Sequence, residues 1–201
     1  DNDGYQELVL HNDRVFAVFE ANGGRAVNVF AKGNGYAYSV IGDDNVYWYG
    51  TQADFNDGNH VGGFSEVSPA MQDQPYTMTI VQGLGTTVSA KITNANGLIK
   101  TVSLTLGQPY LDMIYQTGSV TNYIQSGFSP DLVNLVWNGQ MSRVWSGGTG
   151  VYSGYRNPNS GATGAWVWGT GGALFNKSFA ATLMKGDEIR GSGTFEALLY
   201  A

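Results

Sequence analysis

A few acidic and basic side chains are the first candidates for chemistry. His60 and Glu66 share a loop rich in glycine and asparagine, so together they could transfer protons to and from a substrate. Glu196 lies between Phe195 and Ala197, where an inward-facing carboxyl group would have a raised pKa. All three side chains also fit ordinary polar surface positions. The sequence contains no nucleophile elbow, phosphate loop or HExxH zinc motif, and we assign no catalytic residue.

Aspartates of one loop region are the candidates for a metal site. Calcium binds six to eight oxygen ligands, and Asp and Asn side chains supply such oxygens. The candidate ligands are Asp43, Asp44, Asp54 and Asp57. Gly58 would permit a sharp bend, but it stands where an EF-hand loop needs a ligand. Turns stabilised by Asx side chains explain the same residues without an ion. Calcium is the one cofactor that the sequence suggests.

Aromatic residues supply a third kind of chemistry, the binding of sugar rings. Tyr47 and Tyr49 flank Trp48, and Trp166 and Trp168 are likewise two residues apart, so each pair shares one face of an extended strand. An exposed pair could stack against a pyranose, whereas an inward pair would fill a sandwich core. The spacing leaves both possibilities open. The candidate carbohydrate-binding residues are Trp48, Trp166 and Trp168, together with Trp145, Tyr152 and Tyr155, which lie beside loop glycines where we expect exposure.

Short alternating strands must position these residues. Apolar alternation ends repeatedly at Asn-Gly or Gly-Gly, which tolerate the positive φ angles of hairpin turns. The pattern predicts strands at residues 8–10, 15–19, 27–30, 76–81, 86–93, 98–106, 110–118, 165–169, 179–184 and 193–201. Strands spaced in this way, with no helices between them, are typical of a sandwich or barrel. We therefore predict one all-β, twisted antiparallel β-sandwich domain over residues 1–201.

Two segments depart from that rhythm. Ser129, Pro130 and Asp131 form a helix-start signal ahead of Leu132 and Leu135, which predicts one short helix over residues 130–138. Residues 147–164 are rich in glycine and are predicted to form a long ordered loop.

Composition limits the class of protein. The 201 residues include 29 glycines, no cysteine and only 13% charged residues. Sixteen acidic and ten basic residues give a net charge of −6, which argues against nucleic acid as a partner. No run of about 20 apolar residues predicts a membrane span. The first residues, DNDG, do not resemble a signal peptide, and we expect a mature or excised chain.

Several segments together resemble a known family. Residues 8–44, which include the Asn12-Asp13-Arg14 and Gly23-Gly24-Arg25 turns, resemble the opening of a galactose-mutarotase-like β-supersandwich. Residues 97–118 resemble the central hairpin of the same fold. Residues 128–140 and 154–166 resemble the later part of such domains, which follow the catalytic region in family-57 glycoside hydrolases and related amylolytic enzymes.

The resemblance implies a β-sandwich that accompanies an α-glucan-active enzyme and carries no catalytic residues of its own. Mutarotases of that superfamily use histidines and a glutamate, but His11 does not match their histidine positions and only His60 remains. We therefore expect a non-catalytic, extracellular, carbohydrate-associated module, with a polysaccharide or oligosaccharide as partner. A structural subunit of an extracellular filament or surface assembly, bound to copies of itself, is one alternative, and a mutarotase-like sugar enzyme is another.

Overall fold

The computed structural model describes residues 4–33, 35–41, 62–131, 134–135, 142–146, 152–169, 172–180 and 185–201. Within these ranges the chain is almost entirely β, with antiparallel sheets in a sandwich-like arrangement, which confirms the predicted fold class. No helix in this part of the chain has the length and apolar character needed to cross a membrane.

Sixteen strands are described, and they are numbered here in chain order. They are β1 (Glu7–His11), β2 (Val15–Glu20), β3 (Arg25–Gly33), β4 (Tyr36–Ile41), β5 (Ser65–Ser68), β6 (Tyr76–Gln82), β7 (Thr87–Asn94), β8 (Ile99–Thr105), β9 (Tyr110–Gln116), β10 (Asn122–Phe128), β11 (Ser142–Ser146), β12 (Tyr152–Arg156), β13 (Thr163–Trp168), β14 (Gly172–Ala180), β15 (Lys185–Gly191) and β16 (Thr194–Tyr200).

Three sheets contain these strands. The first is a four-stranded meander in the order β1-β2-β3-β4, and the second has the order β14-β15-β10-β5. The third has eight strands in the order β11-β12-β13-β16-β9-β8-β7-β6. Along β9 and β16 buried and partly exposed residues alternate, so one face of the large sheet packs on the core and the other faces outward.

Large aromatic rings fill the space between the sheets. Phe64 and Trp166 are fully buried with ring centroids 5.1 Å apart, and Tyr115 stacks on Phe195 with centroids 4.7 Å apart. These rings belong to one buried cluster with the aliphatic side chains of all three sheets. Close packing of this kind makes the core sensitive to changes in side-chain volume.

The Gly23-Gly24-Arg25 turn ties the first sheet to the start of β6. Gly24 has a φ of 55°, and a Cβ there would lie 2.6 Å from the Cγ of Tyr76, so both the backbone and the space demand glycine. Arg25 is 1% exposed and donates from Nη1 to the carbonyl oxygens of Asn22 and Gln72. The turn that best carries the family resemblance therefore has a structural role.

The long loop predicted at residues 147–164 is wrong in part, because residues 152–156 form β12 and pair with β13. Tyr155 is buried there, since alternate side chains of β12 face the core. Gly154, in the middle of β12, interrupts the apolar alternation, so the strand was not predicted from the sequence.

Of the helix predicted over residues 130–138, the described part is short. Asn134 and Leu135 are helical, and the amide of Leu135 donates to the carbonyl of Asp131 at 3.0 Å. The sequence predicted Ser129 as the cap of this helix, with Asp131 in its first turn. That cap is wrong, because Asp131 has a φ of 53° and its own Oδ1 accepts from the amide of Asn134. Residues 132–133 and 136–138 lie outside the described ranges.

Candidate functional site

A pocket of about 390 Å³ opens at one end of the sandwich. Its walls are turns and strand ends of the first and third sheets. The described lining consists of Arg14, Ala31, Lys32, Tyr36, Tyr38, Pro109, Ser160, Gly161, Ala162, Thr163 and Ala201. The volume lies within the range of about 300–1,000 Å³ that is typical of small-molecule sites.

Two tyrosines of β4 form the aromatic wall of the pocket. Tyr36 and Tyr38 are two residues apart and so share one face of the strand, with ring centroids 4.8 Å apart and planes tilted by 46°. Tyr36 is 54% exposed. The ring lies against Gly33 on the paired strand, where a Cβ would be only 2.3 Å from the Cζ of Tyr36. The absence of a side chain at Gly33 therefore lets the tyrosine ring lie close to the backbone.

Asn12 holds the β1–β2 turn that carries Arg14. Its Oδ1 accepts from the amides of Arg14 and Val15 at 2.7 Å each, and its Nδ2 donates to the carbonyls of Thr105 and Gln108 at 2.6 and 2.9 Å. These hydrogen bonds join the β1–β2 turn to the β8–β9 turn of the large sheet. The Asn12-Asp13-Arg14 motif thus places Arg14 in the pocket wall together with Pro109.

Asn157 has the same role on the opposite wall. It is fully buried, and its Oδ1 accepts from the amides of Asn159 and Ser160 at 2.9 and 3.4 Å. Its Nδ2 donates to the Oδ1 of Asn134 at 3.1 Å. The β12–β13 turn is therefore anchored, which fixes the position of Ser160 at the pocket.

A second polar cluster lies in the core, away from solvent. Lys100 of β8 and Glu66 of β5 are both fully buried and form an ion pair, with the Lys100 Nζ 2.8 Å from the Glu66 Oε1. The Tyr76 hydroxyl donates to Glu66 Oε2 at 3.0 Å, and Lys100 Nζ also donates to the carbonyl of Phe64 at 3.3 Å. Burial raises the pKa of Glu66 and lowers the pKa of Lys100, although each charge opposes the shift of the other. Glu66, once a candidate acid or base, has no surface that a substrate could reach.

A pair of carboxyl groups lies on the outer face of the large sheet. Asp112 pairs with Leu198 across β9 and β16, so Glu196, two residues before Leu198, shares its face. Burial, and then the charge of Glu196 and a hydrogen bond with it, raise the pKa of Asp112 to about 6. Glu196 therefore faces outward beside a second acid, which differs from the inward position considered from the sequence.

Asp112→Asn is expected to change how stability depends on pH. The folded-state pKa of Asp112 is raised, so the native protein binds more protons than the unfolded chain between about pH 4 and pH 6, and this stabilisation is lost as pH rises through about 6. Urea unfolding at pH 5 and pH 7 should therefore show a larger loss of stability on raising the pH for the unsubstituted protein than for Asp112→Asn. Asp73→Asn, the same change at an exposed position, is the control; equal pH dependence in all three proteins would contradict the assignment.

Comparison with known proteins supports the fold. No protein-family profile and no curated protein matches the chain. The periplasmic domain of Thermotoga maritima YidC is similar in structure, with a TM-score of 0.58 and 11% identity over 97% of this chain and 82% of that one. The protein HI1317 gives a TM-score of 0.58 at 8% identity, over 100% of this chain and 93% of that one.

A glycoside hydrolase of family 81 from Clostridium thermocellum is also similar, with a TM-score of 0.50 and 11% identity. The matched region includes 98% of this chain but only 22% of the hydrolase chain. At such identities the likeness shows a shared all-β fold and no more.

The structure separates the aromatic residues that the sequence singled out. Trp166 is fully buried and Tyr155 is 1% exposed, because both side chains fill the core. The prediction that these two residues bind carbohydrate is therefore wrong. Trp168 is partly buried and packs against the same core. Tyr152 is 38% exposed on the outer face of the large sheet, and its role as a glycan contact stays a prediction.

Other predicted residues are placed only in part. The backbone of Trp145 lies in β11, paired with Gly154 of β12, and its glycan contact stays a prediction. The remaining candidates lie outside the described residues: Trp48 and His60, and the proposed calcium ligands Asp43, Asp44, Asp54 and Asp57.

Tyr36 and Tyr38 were not predicted as binding residues from the sequence. Their spacing matches that of Tyr47 and Tyr49, and they directly follow the glycine-rich β3–β4 turn. Two rings on one strand face next to a turn could have indicated a binding surface. Side chains beside a turn lie at the end of a strand, where the facing sheet no longer covers them.

Proposed function

We propose that this chain is a non-catalytic carbohydrate-binding β-sandwich that holds a sugar ring in the pocket of Tyr36 and Tyr38. The observation that carries the proposal is the pair of tyrosine rings, 4.8 Å apart, in an open pocket of about 390 Å³. Aromatic rings offer an apolar face, and the neighbouring Ser160 and Thr163 offer hydroxyl groups to the edge of a sugar.

Under this proposal the chain works outside the cell beside a catalytic domain. The resemblance to the sandwich domains that follow the catalytic region of family-57 glycoside hydrolases supports this context, as does the fold shared with part of a family-81 hydrolase. A site this small and open should bind weakly, with dissociation constants in the millimolar to micromolar range, since ordering costs offset a few contacts.

The test is binding of soluble oligosaccharides, screened on a glycan array and then measured by titration calorimetry. Tyr36→Ala combined with Tyr38→Ala should weaken binding about tenfold or more, because aromatic side chains that a ligand covers dominate such contacts. Tyr5→Ala, which removes a 48% exposed tyrosine outside the pocket lining, should leave binding unchanged. Retention of full affinity by the double variant, or absence of any binding to neutral and charged glycans, would refute the proposal.

One observation favours the alternative of a self-assembling subunit. Ile80, Val81 and Leu84 are 63%, 61% and 84% exposed at and beyond the end of β6, the edge strand of the large sheet. Exposed apolar edges promote pairing between copies. Light scattering after size-exclusion chromatography distinguishes the two functions: a monomer at every concentration would reject the assembly, and growth with concentration would support it.

A further inference from the structure

We infer that the tyrosine pocket selects a saccharide that carries a methyl group, either in an N-acetyl substituent or as a 6-deoxy carbon. This inference rests on the proposed function and deepens it. The described lining of the pocket contains three alanines and one proline in addition to the two tyrosines. Small apolar side chains leave room for a compact group and offer it no hydrogen bonds. The chemistry of the lining therefore favours an apolar substituent on the ligand.

The register of the first sheet places one of these alanines on the same face as the tyrosines. Ala31 pairs with Tyr38 across β3 and β4 and with Val15 across β2 and β3. Val15 is fully buried, so the shared face is the one that faces the core. Tyr36, two residues from Tyr38, belongs to the same face. The methyl group of Ala31 and both rings are therefore directed to the inner side of the sheet, at the end where the pocket opens.

A second alanine reaches the pocket from the large sheet. Ala201 lies two residues after the fully buried Leu199, and its amide donates to the carbonyl of Pro109 at 2.9 Å, which extends the pairing of β16 with β9. Both Ala31 and Ala201 pack against the hydrophobic core. Ala162, the third alanine of the lining, is 6% exposed. The three alanines, called here the alanine surface, thus form an apolar inner end of the pocket that continues the core.

The two basic residues of the lining belong to the opposite face of the first sheet. Arg14 directly precedes Val15 and Lys32 directly follows Ala31, and successive side chains of a strand point to opposite faces. The carbonyl of Arg14 accepts from the amide of Lys32 at 2.6 Å, which extends the pairing of β2 with β3. The register therefore directs both charged side chains away from the alanine surface, and the described lining contains no Asp or Glu.

The hydroxyl groups of Ser160 and Thr163 are already engaged in the β12–β13 turn. The Oγ of Ser160 accepts from the amide of Ala162 at 3.3 Å, and the Oγ1 of Thr163 donates to the carbonyl of Gly161 at 3.1 Å. A ligand hydroxyl directed at the alanine surface would lose its hydrogen bonds to water without gaining new ones there, whereas a methyl group would bury apolar area. The pocket thus favours the methyl group and disfavours a hydroxyl in its place.

The test compares, by titration calorimetry, pairs of sugars that differ at one substituent. One pair consists of β-1,4-linked oligomers of N-acetylglucosamine and of glucose at equal length, and the other of 6-deoxygalactosides and galactosides of the same configuration. We expect the methyl-bearing member of at least one pair to bind about tenfold or more tightly, as one buried carbon in an apolar pocket can achieve. The pair that shows the preference identifies where the methyl group stands. Ala201 is the last residue of the sequence, so chains with and without a short neutral extension are assayed, and both should show the same preference.

Ala31→Ser combined with Ala201→Ser should remove this preference, because the new hydroxyls give a ligand hydroxyl partners at the alanine surface. Ala37→Ser, the same change at an exposed position of β4 between the two tyrosines and on the opposite face, is the matched control and should have no effect. Thermal unfolding checks that each variant is folded, and Ala201→Ser alone, which should reduce the preference, replaces the double variant if that one is not.

Equal affinity within both pairs, or a preference that survives these variants, would overturn the inference and leave the proposed carbohydrate function intact. Binding of none of these sugars would also overturn the inference. Absence of any binding on the glycan array would overturn the proposed function as well.

Discussion

Lys100→Met is expected to lower the free energy of unfolding by about 3–5 kcal/mol, because it leaves the fully buried carboxylate of Glu66 without its partner. Glu66→Gln is expected to have a comparable effect, since it leaves the ammonium group of Lys100 uncompensated in the core. Glu7→Gln, the same change at an exposed strand position, should alter stability by less than about 0.5 kcal/mol. Urea unfolding of the four proteins measures these differences.

The two single variants should respond to pH in opposite directions. In Lys100→Met the pKa of Glu66 stays raised above its unfolded value, so stability falls as pH rises through the folded-state pKa and recovers as pH is lowered from 7 to 5. In Glu66→Gln the pKa of Lys100 stays lowered, so the unfolded chain binds more protons and stability rises with pH towards about 10. The same pH dependence in both variants would contradict the assignment.

Combining Glu66→Gln with Lys100→Met should recover most of the lost stability, because neither position then holds a buried charge without its partner. Full recovery is not expected. Lys100 also donates to the carbonyl of Phe64, a residue with a φ of 64° that is strained for a bulky side chain. The amide of Phe64 donates to the Oγ of Ser126, so this unusual backbone is held from both sides, and the double variant removes one of the two supports.

Trp166→Ala is expected to cost about 3–5 kcal/mol of unfolding free energy. Its ring is fully buried between the sheets and contacts Phe64, so truncation would leave a large cavity in a close-packed core. Trp166→Phe keeps much of that volume and should cost less. Glycan affinity, measured where each variant is still folded, should not change.

Tyr152→Ala is the matched control for this prediction. Tyr152 lies on β12 of the same sheet but is 38% exposed, so its truncation should cost no more than about 1 kcal/mol. Both residues were candidate glycan contacts from the sequence, and unfolding measurements separate them. A loss below about 1 kcal/mol for Trp166→Ala would show that the ring does not support the core.

Strands with clear alternation were predictable from the sequence, whereas a strand that is buried on nearly every residue was not. Strand β2 alternates in burial and ends in a glycine turn, so its pattern was legible. Strand β10, by contrast, is buried on nearly every residue between β15 and β5, although it contains Asn122 and Gln125. Polar residues that form hydrogen bonds inside a sheet read as a loop when only hydrophobic periodicity is considered.

The candidate site was less predictable, because its residues come from distant segments. From the sequence Glu66 is predicted to be a surface residue, and only the structure places Lys100 of another sheet beside it. Arg14 and Tyr36 have ordinary local surroundings in the sequence, and only the register of β3 with β4 and the hydrogen bonds of Asn12 bring them to one cavity. The asparagines, which sequence analysis treated as turn formers, supply this long-range connection.

The walls of the tyrosine pocket span the chain from residue 14 to residue 201. Such a cavity exists only after segments separated by nearly the full length of the polypeptide have come together. The cavity therefore forms only when the domain has folded completely. A bound ligand then raises the free energy of every unfolding motion that separates those segments. This stabilisation grows with the logarithm of the ligand concentration. Resistance to proteolysis across the whole domain is thereby coupled to occupancy of one small cavity at its end.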